Sequence, residues 1–197
     1  MRPGRRIGAL VLAAGFARRF GKDKLTAPLA DGNPLIRHTL ENISSAFDDI
    51  LIVSRPDSGL DLEEWPVTQF EAAEQGMGAS LAWGIARLPA WDGCLVCLAD
   101  MPFVQPRTYR LLAAELTPEN IVIPGHMGRR GNPVGFGRRF FAELAELNDE
   151  RGGRKIIRRH EADVLEIPVE DPAILMDIDT PADLGRYQSG AAQQGRD

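Results

Sequence analysis

Four cationic residues follow a short apolar run near the start of the chain. The run covers residues 7–13, and the glycine-containing segment after it carries Arg18, Arg19, Lys22 and Lys24. A strand that leads into such a loop presents backbone N–H groups at the carboxyl end of a sheet, where anionic ligands bind. Cationic side chains beside the loop add the charge that a phosphate chain requires. The segment therefore predicts a site for a polyphosphate.

The spacing of this segment does not match two common phosphate-binding motifs. A Walker A loop has four residues between its glycines and ends in Gly-Lys followed by Ser or Thr. Here five residues separate Gly15 from Gly21, and Asp23 follows Lys22. The dinucleotide fingerprint Gly-x-Gly-x-x-Gly is also absent, and the next predicted strand ends in Ser54-Arg55 without an acidic residue for a ribose. The phosphates must therefore be held in another way.

Aspartates follow two further apolar runs and could bind a divalent cation. Asp100 comes directly after residues 94–99, and Asp177 and Asp179 alternate with apolar residues, which places both carboxylates on one side of a strand end. The carboxyl end of a central strand faces the ligand crevice of an open sheet. Mg²⁺ prefers one or two carboxylates together with phosphate oxygens. The alternatives are a turn-capping Asp100 and two solvated aspartates beside a helix N-terminus.

A second glycine-containing segment joins a loop to a predicted helix. Gly76 and Gly78 permit close approach of the backbone to a ligand, and Ser80 lies in the first helical turn. The alternative is a helix that simply begins at a glycine, with Ser80 in its first turn.

Other residues of chemical interest are predicted to be structural. Asp183 closes a capping box with Thr180 at the start of a helix. Cys94 and Cys97 form a C-x-x-C within a predicted strand, where residues three apart point to opposite faces. We therefore predict two buried core thiols rather than a disulfide or a metal site.

Apolar runs and helical patterns alternate along the 197 residues, which predicts an α/β fold with a mainly parallel sheet. Strands are predicted at residues 7–13, 50–53, 67–69, 94–99, 121–124, 132–137, 163–168 and 175–178. Helices are predicted at residues 35–47, 79–87, 107–115, 139–147, 154–160 and 181–187. A single domain over residues 1–188 is expected, and the small polar residues 189–197 predict a disordered tail.

The charge distribution indicates a local anion site. A formal net charge of −5 argues against a general nucleic-acid binder. Cations are nonetheless concentrated in two segments, residues 1–25 and residues 129–159. No apolar stretch approaches the length of a membrane span, and the first one meets Arg18-Arg19 without a cleavage site, so neither a membrane partner nor export is expected. The two cysteines are consistent with a reducing cytoplasm.

The basic segment fills the pattern Leu-x-x-Gly-x-x-x-Arg-x-Gly-x-x-Lys with Leu12, Gly15, Arg19, Gly21 and Lys24. This pattern resembles the signature of nucleotidyltransferases that move NMP from NTP onto a phosphorylated acceptor. It is most similar to the molybdenum cofactor cytidylyltransferases and related molybdopterin nucleotidyltransferases. The resemblance covers residues 7–184, with the motifs in family order. It implies a Rossmann-like three-layer sandwich of the nucleotide-diphospho-sugar transferase type. The alternative is an ordinary strand followed by a solvated basic turn.

The resemblance also implies a role for each motif. Implied catalytic residues are Arg19, Lys24 and Asp100. Implied nucleotide-binding residues are Leu12, Ala13, Ala14, Gly15, Arg19, Lys24, Gln75, Gly76, Ser80 and Asp100. Asp100 and Asp179 are the implied metal ligands, with Mg²⁺ as the cofactor. The acceptor side is implied to contain Arg130, Gly131, Asn132 and Arg154.

Both acceptor-side motifs depart from the family pattern. Residues 128–136 resemble an Arg-Gly-His-Pro-Val loop, but Asn132 stands where histidine is usual. Residues 149–154 resemble Gly-Asp-x-Gly-Ala-Arg, with Asp149 in place of the glycine and Glu150 in place of the aspartate. These departures leave the acceptor open, and the arginines here could also form a solvated basic surface.

The resemblance implies a Mg²⁺-dependent enzyme that transfers CMP from CTP to a phosphorylated acceptor such as molybdopterin and releases pyrophosphate. The Ala13-Ala14-Gly15 sequence is similar to that of CTP-using members, whereas GTP-using relatives usually carry Ala-Gly-Gly. A recipient molybdoenzyme is an implied further partner. Three alternatives stay open: a GTP-using molybdopterin guanylyltransferase, a cytidylyltransferase or sugar-phosphate nucleotidyltransferase with another acceptor, and a non-catalytic nucleotide-binding regulatory protein.

Overall fold

A mixed sheet of eight strands runs through the part of the chain that the computed structural model describes, which is residues 4–15, 24–148, 152–180, 182, 183 and 185. The strands are β1 (Ile7–Leu12), β2 (Ile50–Ser54), β3 (Val67–Gln69), β4 (Gly93–Leu98), β5 (Ile121–His126), β6 (Arg129–Arg130), β7 (Val134–Gly137) and β8 (Val164–Pro168). Their order is β3-β2-β1-β4-β7-β5-β6, and β8 pairs with β5. Strands β6 and β7 run antiparallel to the others. The predicted α/β fold with a mainly parallel mixed sheet is confirmed.

Helices cover both faces of the sheet and form three layers with it. They are α1 (Leu35–Ser44), α2 (Met77–Ile85), α3 (Pro106–Glu115), α4 (Phe141–Leu144) and α5 (Arg154–Arg159). The apolar residues of α1 and α3 pack on one face, and those of α2, α4 and α5 pack on the other. No helix within the described segments combines the length and apolar character needed to cross a membrane.

The alternation of side chains in the central strands builds two cores. In β1, Ala9 and Val11 face the α1 and α3 side, whereas Leu10 faces the α2 side. In β4, Cys97 belongs to the first core and Cys94 to the second. Both cysteines are buried free thiols, as predicted.

Two local predictions differ from the structure, and one short strand was missed. The strand predicted at residues 175–178 is wrong, because the chain forms a 3₁₀ turn at Pro172–Leu175 and then runs irregularly to residue 179. The helix predicted at residues 139–147 is reduced to a 3₁₀ turn at Arg138–Phe140 followed by the four-residue α4. The two-residue strand β6 was not predicted.

A buried carboxylate explains the turn that replaces the missing strand. Asp171 is 1% exposed and accepts hydrogen bonds from the Ala173 and Gln105 backbone N–H groups and from the Thr108 hydroxyl, the last at 2.6 Å. These bonds tie the segment to the start of α3 instead of to a sheet edge. The predicted capping box is present, since Thr180 and Asp183 exchange hydrogen bonds.

Candidate active site

The loops after β1 and β4 leave the sheet side by side. Leu12 pairs in register with Leu98, and the Ala99 N–H donates to the Leu12 carbonyl at 3.2 Å. On the other side of β1, the Ala13 N–H donates to the Val53 carbonyl at 2.8 Å. Because β1 and β4 are parallel neighbours, the loop at residues 12–15 and the loop that carries Asp100 lie at the same edge, as expected for a ligand crevice.

Two contacts from outside the sheet fix the Asp100 loop. The buried Thr39 hydroxyl of α1 donates to the Ala99 carbonyl at 2.9 Å. The Ile178 N–H donates to the Asp100 carbonyl at 3.1 Å, and the Ile178 side chain is fully buried. This second bond holds the segment that contains Asp179 against the Asp100 loop. The two aspartates therefore meet although they are far apart in sequence.

The side chain of Lys24 lies between these two aspartates. Its Nζ is 2.6 Å from Asp100 Oδ2 and 2.8 Å from Asp179 Oδ1. The Lys24 and Asp100 side chains are 15% and 18% exposed, whereas Asp179 is 45% exposed. Burial is the largest single influence on the pKa of Lys24 and lowers it, but the two carboxylates together outweigh burial, so the pKa is raised. Lys24 is therefore positively charged at neutral pH.

At Asp100, in contrast to Lys24, burial affects the pKa more strongly than the neighbouring charges do. Burial raises the pKa of Asp100 above its ordinary value, although Lys24 acts to lower it. Its second oxygen, Oδ1, is buried and has no hydrogen-bond partner among the described residues. An unpartnered buried carboxylate oxygen is costly, and Asp100 lines the crevice described below. It is suited to bind a hard divalent cation, the kind of ion that carboxylate oxygens prefer.

A cavity of about 430 Å³ surrounds Lys24, and we call it the Lys24 cavity. It is lined by most residues predicted to bind the nucleotide or the metal: Leu12, Ala13, Ala14, Gly15, Lys24, Gly76, Ser80, Asp100 and Asp179. Asp177 also lines it. Gln75 is exposed and is not part of the lining. Arg19 and Gly21 lie outside the described residues.

A second cavity of about 440 Å³ adjoins the first, and we call it the Arg154 cavity. The two share Leu12, Met77 and Leu98 in their linings. All four residues predicted for the acceptor side line it: Arg130, Gly131, Asn132 and Arg154. Sequence positions more than a hundred residues apart thus line two adjoining cavities.

Comparison with known proteins identifies the family. Residues 9–164 match the MobA-like NTP transferase domain. The chain belongs to this family. The predicted resemblance to molybdopterin-type nucleotidyltransferases is therefore confirmed, and the protein is a nucleotidyltransferase.

Relatives of this MobA-like domain match it over most of their length. The purine catabolism protein PucB of Bacillus subtilis is 29% identical over 188 residues, which cover 86% of this chain and 90% of PucB. A probable molybdenum cofactor guanylyltransferase of Mycobacterium tuberculosis is 27% identical, covering 90% of this chain and 91% of the relative.

Solved structures of similar proteins share the fold. Rv0371c of Mycobacterium tuberculosis superposes with a TM-score of 0.83 at 29% identity, covering 94% of this chain and 98% of that one. Its complex with manganese gives a TM-score of 0.78 at 28% identity, with 93% and 98% covered. The likeness confirms the predicted Rossmann-like, nucleotide-diphospho-sugar transferase type of fold.

Two features of the MobA-like crevice were not found by sequence reasoning. Gly131 packs so closely that a Cβ atom there would lie 2.3 Å from the Ile174 carbonyl oxygen, so this glycine has a packing role as well as its predicted one. Arg158 lines the Arg154 cavity. Its spacing of four residues from Arg154 on a predicted helix was the available signal.

Proposed function

We propose that the protein transfers the nucleotidyl group of CTP to a phosphorylated acceptor of the molybdopterin class and releases pyrophosphate. One observation carries the proposal. The Lys24 ammonium lies within 2.8 Å of both Asp100 and Asp179 in a cavity at the carboxyl ends of β1 and β4. Cationic and acidic groups are thereby concentrated where a triphosphate and its counter-ion would meet. The adjoining Arg154 cavity gives room for a second substrate.

The reaction places few demands on acid–base chemistry. An oxygen of the acceptor phosphate attacks the α-phosphorus of the nucleotide, and the bond from that phosphorus to the αβ-bridging oxygen breaks. An acceptor phosphate monoester is already anionic near neutral pH, so no strong general base is required. Catalysis then depends on in-line alignment and on neutralisation of phosphate charge. Lys24 supplies part of that charge, and Arg19 is proposed to supply more from the same signature.

Asp100 and Asp179 are the proposed metal ligands. The unpartnered Oδ1 of Asp100 fits a cation, and no group of three or more potential ligand side chains occurs among the described residues. Two carboxylates completed by phosphate oxygens and water are the usual arrangement for Mg²⁺. When bound, Mg²⁺ would offset the negative charge of the triphosphate. The manganese complex of the similar Rv0371c supports a divalent cation in this family.

The proposed preference for the cytosine nucleobase depends on the sequence of the loop after β1. Ala13 and Ala14 are 2% and 1% exposed in the described structure, and the loop carries Ala-Ala-Gly rather than Ala-Gly-Gly. This favours CTP by resemblance to CTP-using members. GTP is the second candidate, because relatives such as the Mycobacterium tuberculosis protein are named guanylyltransferases.

Pyrophosphate release tests the proposal. Each of the four NTPs is incubated with the protein, MgCl₂ and molybdopterin or a panel of other phosphate monoesters. We expect release with molybdopterin and faster release with CTP than with GTP. Preference for GTP would make the protein a guanylyltransferase. Nucleotide binding without turnover for any acceptor would support the regulatory alternative and contradict the proposal.

An Asp100→Asn variant links the activity to the site. We expect its rate to fall by about a hundredfold or more, since it removes a carboxylate proposed to hold the cation that neutralises the reacting phosphates. Asp61→Asn is the matched control because Asp61 is an exposed aspartate outside both cavities. Equal loss in both variants would indicate a general effect of the substitution.

A further inference from the structure

Helix α5 presents two arginines to the same cavity. Arg154 and Arg158 are four residues apart and therefore lie on one helix face. Both line the Arg154 cavity, together with Ile157 between them, while Ile156 is buried in the core. The core contact of Ile156 fixes the orientation of the helix, so the cavity-facing arginines are held by the packing of α5 rather than by each other.

The charges around this cavity are unevenly compensated. Arg130 is engaged by two carboxylates, with Glu161 Oε1 at 2.7 Å and Glu166 Oε2 at 2.9 Å. Among the described residues that line the cavity, Glu161 is the one with a carboxylate. The hydrogen bond from Arg130 lowers the pKa of this carboxylate. The guanidinium groups of Arg154 and Arg158 make no ion pair or hydrogen bond with any described residue. Among the described residues, the uncompensated positive charge of the cavity therefore belongs to Arg154 and Arg158.

Apart from Asn132, the other side chains that line the cavity are apolar. Its floor is formed by Leu81, Val96, Ile123 and Phe136, all less than 9% exposed. An apolar floor beside two guanidinium groups that pair with no described residue suits a molecule that has an apolar or flat body and an anionic group. Guanidinium groups bind phosphate oxygens through paired, charge-assisted hydrogen bonds.

We infer that Arg158, together with Arg154, binds the anionic group of the acceptor. Arg130, in contrast, stabilises the cavity wall through its ion pairs with Glu161 and Glu166. The inference rests on the proposed nucleotidyl transfer and assigns a specificity-determining residue to its acceptor side. The acceptor is then a phosphate monoester attached to a ring-containing body. A small polar phosphate would leave the apolar floor unused.

Binding of phenyl phosphate tests this assignment without turnover. Calorimetric titrations at fixed ionic strength compare the wild-type protein with Arg158→Met, which keeps an apolar stem but loses the charge. We expect saturable binding to the wild type and binding about tenfold weaker or more in Arg158→Met, as for loss of a charge-assisted contact. Arg158→Lys should recover part of the loss.

Lys155→Met is the matched control. Lys155 belongs to the same helix, is exposed and does not line the cavity, so the variant removes one charge from α5 outside the site. Its phenyl phosphate affinity should equal that of the wild type. Absence of saturable binding to the wild type, an equal loss in Lys155→Met, or a loss in Arg130→Met but not in Arg158→Met would overturn the inference.

Steady-state transfer separates this inference from the proposed function. Arg158→Met should raise KM for the acceptor about tenfold or more, with kcat and KM for the nucleotide unchanged. An active wild type with an unchanged acceptor KM in Arg158→Met would overturn the inference alone. A wild type that turns over no acceptor would overturn the proposed function, and the phenyl phosphate titration would still decide the role of Arg158.

Discussion

Replacing Lys24 by methionine should destabilise the protein and make its stability depend on a divalent cation. Methionine keeps an apolar stem of similar length but removes the ammonium that lies 2.6 Å from Asp100 and 2.8 Å from Asp179. The two carboxylates then face each other without a counter-charge. The energetic penalty is larger for Asp100, because it is the more buried of the two carboxylates.

The exposure of the two carboxylates sets the size of the effect. Removing one partner of a buried ion pair costs about 3–5 kcal/mol, whereas an exposed pair contributes about 0–1 kcal/mol. Asp179, at 45% exposure, belongs to the second class, and Asp100, at 18%, is closer to the first. Protonation of Asp100 would remove part of the penalty of an unpaired buried charge. We therefore expect Lys24→Met to lower the free energy of unfolding by about 3 kcal/mol at neutral pH. For a chain of this size that is roughly 6–12 °C in Tm.

Thermal and urea unfolding in EDTA and then in MnCl₂ measure the effect. In EDTA, Lys24→Met should unfold about 3 kcal/mol more easily than the wild type, and Lys155→Met should match the wild type. MnCl₂ should stabilise Lys24→Met more than the wild type, because a cation at the carboxylates replaces the missing charge and binds only the folded state. Equal stability of Lys24→Met and wild type in EDTA, or equal gains in MnCl₂, would refute the assignment of the Lys24 cavity.

Three further substitutions or modifications test the positioning of the site. Asp171→Asn should lower the free energy of unfolding in urea by about 2–3 kcal/mol, because a buried carboxylate that accepts three hydrogen bonds is lost. Unchanged stability would contradict the role of Asp171 in anchoring this segment. Gly131→Ala should lower Tm, since its Cβ would lie 2.3 Å from the Ile174 carbonyl oxygen; an unchanged Tm would show that the wall can move. Burial raises the pKa of Cys94 and Cys97, so DTNB should label neither thiol until the protein is denatured; rapid labelling of the native protein would contradict their burial.

The convergence of the site could be predicted because strand ends carry it. The runs that became β1 and β4 are apolar, short and followed by small or charged residues, which defines both the strand and its loop. Once the strands are parallel, their carboxyl ends meet at one edge. The predicted strand ends therefore bring the loop after β1 and Asp100 together, and the structure places Lys24 in contact with Asp100. Asp179 also contacts Lys24, but it comes from an irregular segment that the Ile178–Asp100 hydrogen bond holds in place.

The segment after β8 could not be predicted in the same way. A strand was predicted at residues 175–178, but Asp171 ties the preceding residues to the start of α3, more than 60 residues away in the chain. A tertiary hydrogen bond thus overrides the local pattern. Asp177 and Asp179 still alternate with the buried Ile178, so the predicted direction of their side chains is retained without the predicted strand.

The ion pairs of Arg130 also depend on tertiary structure. Its partners Glu161 and Glu166 lie 31 and 36 residues further along the chain, a spacing that no motif encodes. The parallel pairing of β5 with β8 brings Glu166 opposite Ile123, close to the β5–β6 hairpin that carries Arg130. The sequence could mark Arg130 as an acceptor-side cation, but it could not distinguish it from Arg154 and Arg158, whose side chains pair with no residue in the described ranges.

A crystal structure with CTP and MnCl₂, in the absence of an acceptor, tests the central claim most directly. The anomalous signal of manganese locates the cation independently of the nucleotide density. The account predicts manganese within bonding distance of Asp100 and Asp179, with the triphosphate along residues 12–15 and in contact with Lys24. Manganese away from both aspartates, or a triphosphate outside the Lys24 cavity, would contradict it.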